Sequence, residues 1–97
     1  MMQDILHESE IYQLIMQEGL EKGLERGRQE GKLEGLQETL LALVQARFPK
    51  MIRLTKGLAL VTEDPETLQN LILKVSMAQT SEEARNYLLE VGEDSSN

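Results

Sequence analysis

Apolar positions recur at helical spacing from Ser9 onward: Ile11, Leu14 and Ile15, then Leu20 and Leu24, then Leu36, Leu40, Leu41, Leu43 and Val44. Spacings of three and four mark the buried stripe of an amphipathic helix. No proline interrupts the run before Pro49, and no β-branched residue lies between Gln17 and Glu38. The pattern predicts one helix over 9–47, about 57 Å long at ~1.5 Å per residue. Asp4 or Ser9 is the candidate amino-terminal cap. Pro49 ends the helix near Ala46 or Arg47, because the residue before a proline disfavours helical angles. A helix of that length exceeds what a compact domain of 97 residues covers, so its glycine-rich part is expected to project.

Three shorter helices follow in the pattern. Met51, Leu54, Leu58 and Val61 give the apolar face of a helix from about Lys50 to Val61, which Gly57 weakens. Asp64-Pro65-Glu66 is a start signal, Asp64 as cap and Pro65 at the first helical position. Leu68, Leu71, Ile72 and Val75 then line one face as far as about Ala78. Thr80-Ser81-Glu82-Glu83 is a capping box in which Thr80 and Glu83 are expected to bond reciprocally. Ala84, Tyr87, Leu88 and Val91 face inward, and Gly92 is expected to end the last helix. No strand or hairpin signal is present. The expected fold is all-α: a flexible segment over 1–8, a long helix over 9–47, a small helical bundle over 50–92 packed near Leu40 to Val44, and a disordered tail over 93–97.

The long helix carries a repeat. Glycine stands at 19, 23, 27, 31 and 35, every fourth residue, five times running. Each interior glycine costs roughly 0.8–1 kcal/mol relative to alanine. Residues four apart lie nearly on one face, so the glycines form a groove without side chains where another backbone can approach. A period of four exceeds the helical 3.6 and drifts about 40° per repeat, which favours right-handed winding over a leucine-zipper seam. Leu20, Leu24 and Leu36 run beside the glycines, with Arg28 and Lys32 breaking that row. Glu18, Lys22, Arg26, Glu30, Glu34 and Glu38 form a charged column in which Glu18–Lys22 and Arg26–Glu30 are attractive pairs.

Composition narrows the setting. Small-xxx-small repeats are common in membrane helices, but Glu18, Glu21, Glu25, Glu30, Lys22, Arg26, Arg28 and Lys32 occupy this one, and no apolar run approaches the length of a membrane span. The formal charge of −7 disfavours general nucleic-acid binding and adsorption to anionic membranes. Acids exceed bases in both halves, nine to five over 1–48 and eight to five over 49–97, with no localised basic patch read from these totals. There is no cysteine, hence no disulfide, thiolate metal site or thiol nucleophile. MMQDILHESE lacks the basic and then apolar pattern of a secretory signal, so a cytoplasmic location is expected.

Candidate chemistry is sparse. His7 is the single histidine and has no evident acid–base partner. Glu30 and Glu34 are one turn apart, but Arg26 and Lys32 nearby disfavour a metal there. Glu30-Gly31-Lys32 matches the Glu-x-Lys end of a metal-dependent nuclease signature, which requires an upstream Asp and a strand. The triplet sits in mid-helix among repeats and is read as coincidence. The glycines have no preceding strand and no Gly-Lys-Ser/Thr sequence, so they are not a phosphate loop. No catalytic residue, cofactor or metal site is expected.

Two groups of segments carry a resemblance. One is Ser9-Glu10-Ile11-Tyr12-Gln13 with Glu18-Gly19 and the glycine repeat. The other is Ala46-Arg47-Phe48-Pro49 with Asp64-Pro65-Glu66-Thr67-Leu68 and Ala78-Gln79-Thr80. Together they resemble the carboxy-terminal tail of the bacterial recombination-promoting nuclease and transposase family, whose members carry a PD-(D/E)xK nuclease-like domain ahead of such a tail. The chain has no Pro-Asp dipeptide and no αβ pattern, so no catalytic residue is carried over. The resemblance implies an oligomerising tail, with a nuclease domain or another subunit as a possible partner. The repeat alone also resembles that of the flagellar assembly protein H family, which implies a hetero-binding adaptor. The leading expectation is a homo-oligomer, dimer or tetramer, packed through Gly19, Gly23, Gly27, Gly31 and Gly35 with Leu20, Leu24 and Leu36.

Overall fold

The structure is a computed structural model that describes residues 8–95. Asp4 and His7, and with them residues 1–7 of the segment expected over 1–8, lie outside the described residues. Four α-helices follow in order: α1 (Glu8–Arg47), α2 (Ile52–Val61), α3 (Pro65–Met77) and α4 (Ser81–Ser95), with a 3₁₀ turn (Pro49–Met51) before α2. No strand occurs among the described residues. The chain divides into two units between Gly31 and Lys32, inside α1.

In the first unit α1 is uninterrupted, and every residue from Glu8 to Gly31 is exposed. Ser9 lies within the helix and is not its cap. The glycines keep helical angles, since no glycine has a positive φ among the described residues.

The second unit holds the core. Leu40, Val44 and Phe48 from the end of α1 and its exit meet Leu58 of α2, Leu68, Leu71 and Val75 of α3, Ala78, and Ala84 and Leu88 of α4. Leu40, Val44, Leu68, Val75, Ala84 and Leu88 are fully buried. Full burial of one such Leu or Val stabilises by about 1.5–3 kcal/mol. α4 packs against both α2 and α3.

The exit from α1 follows from Pro49. Phe48 takes φ −137° and ψ 65°, as a residue before proline must leave the helical region. Its amide still donates to the Val44 carbonyl at 2.7 Å, and Pro49 opens the 3₁₀ turn that leads into α2. The buried face of α2 is shifted from the expected one. Leu58 is buried and Met51 and Leu54 partly so, but Val61 is 61% exposed, and Thr55, Ala59 and Thr62 lie inside instead. The Thr55 hydroxyl donates to the Met51 carbonyl (2.8 Å) and the Thr62 hydroxyl to Leu58 (2.7 Å). Each threonine thus satisfies its polar atom on its own helix, one turn back, and can be buried without penalty.

Two side chains of α1 serve the carboxy-terminal carbonyls of other helices. Gln37 Nε2 donates to the Ala59 carbonyl of α2 at 2.7 Å. Arg47 donates from Nη1 to the Val75 and Ser76 carbonyls (2.7 Å each) and from Nη2 to Ala78 (2.8 Å), with its guanidinium 4.9 Å from the centre of the Phe48 ring. The last turn of a helix leaves carbonyls without intrahelical partners and carries partial negative charge, so a cation placed there answers both needs.

The caps depart from expectation in detail. Asp64 stands at the start of α3, but its carboxylate makes no bond to the helix backbone and accepts the Thr67 hydroxyl instead (2.8 Å). At α4 the Thr80 hydroxyl accepts the Glu83 amide (3.1 Å), while the Glu83 carboxylate accepts the amide of Gln79, one residue upstream of the expected Thr80 (3.1 Å). Gly92 does not end α4, which continues to Ser95 through the first part of the stretch expected to be disordered. A Cβ on Gly92 would meet Leu58 Cδ2 at 3.1 Å. Gly92 is therefore a close-packing glycine at the contact of α4 with α2.

Arg47→Ala is expected to lower the unfolding free energy by about 1–2 kcal/mol, less than the full value of three charge-assisted bonds because the side chain is partly open to water; urea unfolding measures it. Gly92→Leu is expected to destabilise by about 1–3 kcal/mol through overpacking against Leu58, and an unchanged melting temperature would contradict that close contact.

Candidate helix–helix interface

The glycine column of α1 is open. A Cβ built on Gly19, Gly23, Gly27, Gly31 or Gly35 meets nothing within 4 Å. Gly19, Gly23, Gly27 and Gly31 belong to the first unit, Gly35 to the second. Of the three leucines grouped with them, Leu20 and Leu24 are 62% and 59% exposed. Leu36 is partly buried and packs against the chain's own core in the second unit.

These positions belong to columns that advance by four. One runs Tyr12, Met16, Leu20, Leu24, Arg28, Lys32, Leu36, Leu40, Val44, Phe48, and its neighbour runs Ile11, Ile15 and then the five glycines. A step of four overshoots a helical turn by about 40°, so the first column makes roughly one circuit of the axis over its length. Its last three members, all in the second unit, are the core residues Leu40, Val44 and Phe48. Its apolar members in the first unit, Tyr12, Met16, Leu20 and Leu24, are all more than half exposed.

The polar side of the repeat is tied locally. Arg26 Nε pairs with Glu30 at 3.3 Å, as its spacing predicts. Arg28 pairs with Glu25 at 2.7 Å, and Gln29 donates to the other oxygen of Glu25 at 3.2 Å. The expected Glu18–Lys22 pair is not formed among the described residues. These exposed pairs contribute a few tenths of a kcal/mol each. The Thr39 hydroxyl donates to the Gly35 carbonyl (2.8 Å).

Glu30, half of the carboxylate pair considered for a metal, is engaged by Arg26. Among the described residues no group of three or more His, Asp or Glu side chains is placed to hold a metal ion, and no helix is long and apolar enough to cross a membrane. The Arg47 clamp and the close packing at Gly92 escaped the sequence reading. The first has no local signature. The second was assigned to a helix end because glycine near a carboxy terminus is the usual stop signal. Comparison with protein-family models, curated proteins and solved structures finds no match to this chain.

With open space at every repeat glycine, Gly23→Ala and Gly27→Ala are each expected to raise helix stability by about 0.8–1 kcal/mol in dilute solution, measured as a gain in helical circular-dichroism signal and in melting temperature.

Proposed function

We propose that the chain is a non-catalytic homo-oligomerisation module that packs helix against helix through the glycine column of α1. One observation carries this reading: five evenly spaced glycines stay helical, and a Cβ built on any of them would stand in open space. Among the described residues no contact needs them to be small. A backbone from a second chain would, because small residues, glycine above all, let two helices approach closely. Leu20 and Leu24 beside the column supply apolar area to the same contact. The role accords with the oligomerising tail that the sequence segments resemble, and a nuclease domain joined to such a tail would be carried in more than one copy.

Sedimentation equilibrium tests it. The wild-type chain is expected to give a mass above that of one chain, falling on dilution. Gly27→Leu should shift the equilibrium toward monomer although leucine is the better helix former. If Gly27→Leu raises stability and leaves the mass unchanged, the glycine column is not an interface. A wild-type chain that is monomeric throughout, yet is recovered with another protein from its source, would favour the hetero-binding adaptor instead.

A further inference from the structure

Two stretches of the chain carry charge of one sign. From Glu8 to Glu21 there are four acids, Glu8, Glu10, Glu18 and Glu21, and no base. From Thr39 to Thr62 there are four bases, Arg47, Lys50, Arg53 and Lys56, and no acid. A division of the chain at Phe48 cuts through the second stretch, which is why the charge of each half conceals it.

Each stretch also exposes apolar side chains on its charged face. In α1, Glu8, Ile11, Leu14, Ile15 and Glu18 share one face by their spacing, and Ile11, Leu14 and Ile15 are 44%, 58% and 62% exposed. In α2, Arg53, Lys56 and Leu60 share the outer face, and Leu60 is 83% exposed. Beside it lies a groove of about 250 Å³ lined by Gln37, Leu41, Lys56, Ala59 and Leu60. The groove is apolar in its floor and basic at its edge; the first turns of α1 are apolar at the centre and acidic at both ends.

We infer that the groove beside α2 receives the first turns of α1 from a second copy of this chain, with Ile11, Leu14 and Ile15 against Leu41 and Leu60, and Glu8 and Glu18 toward Arg53 and Lys56. Opposite charges favour such a contact and disfavour the meeting of like-charged stretches. The inference shares with the preceding reading the premise that the chain associates with itself, but it does not use the glycine column.

Charge reversal tests it on the full chain by sedimentation velocity, with circular dichroism to confirm that each variant keeps its helix content. Arg53→Glu with Lys56→Glu, and separately Glu8→Lys with Glu18→Lys, are each expected to weaken self-association by about tenfold, as is raised salt to a smaller degree. An equimolar mixture of the two double variants should recover association, because the reversed groove of one then meets the reversed end of the other. Double variants that associate as the wild type does, or a mixture that fails to recover, would overturn the inference. So would a monomeric wild type, which leaves the groove to some other acidic, apolar segment. Gly27→Leu separates the two readings: loss of association there alone supports the glycine column and sinks the groove, whereas loss in the charge variants alone does the reverse.

Discussion

A stretch of helix on which, among the described residues, nothing is packed sets the terms for this protein. From Glu8 to Gly31 no residue of α1 is buried, so the segment is held by its own hydrogen bonds and intrinsic preference. Helices shorter than about 12–15 residues are marginal in water even when alanine-rich. This one is longer, but its four glycines weaken it by roughly 3–4 kcal/mol relative to alanine. Glu25 with Arg28 and Arg26 with Glu30 return only a few tenths of a kcal/mol each. A segment so constituted gains more from covering its exposed Tyr12, Met16, Leu20 and Leu24 than from any contact it makes by itself.

The second unit solves the opposite problem, that of closing a small core with almost no aromatic residues. Leu40 and Val44 are covered completely, and polar groups next to the core are matched one by one. Thr55 and Thr62 bond to their own helix, Gln37 to the carboxy-terminal turn of α2, and Arg47 to three carbonyls at the end of α3. No buried side-chain nitrogen or oxygen lacks a partner among the described residues. The Lys74–Glu90 pair at 3.9 Å, which joins α3 to α4, is half exposed and adds little by comparison.

Helix positions were largely legible because their signals are local. Pro49, the Asp64-Pro65 start and the Thr80 cap each act within a turn, and the helices begin and end within a residue or two of them. The burial of Leu68, Leu71, Val75, Ala84 and Leu88 follows from simple periodicity. α2 was read one position off because a periodicity argument ranks Val61 above Thr62, while burial depends on whether the hydroxyl finds an acceptor. Gly92 departs for a similar reason: glycine near a helix end signals a stop, but here a neighbouring side chain, Leu58, lies so close that a Cβ would have to push it aside.

By itself the sequence determined that the chain is helical, where α1 ends and where α3 and α4 begin, and that its first helix bears a column of glycines, since propensity, capping and spacing are properties of neighbours along the chain. Only the tertiary structure decided that Leu36 turns to the chain's own core while Leu20 and Leu24 do not, that Arg47 holds the end of α3, and that the glycine with a near neighbour is Gly92 rather than any of the repeat. Those outcomes depend on which surfaces meet across long separations, and a column that winds around its helix gives no local sign of where along its length the covering begins.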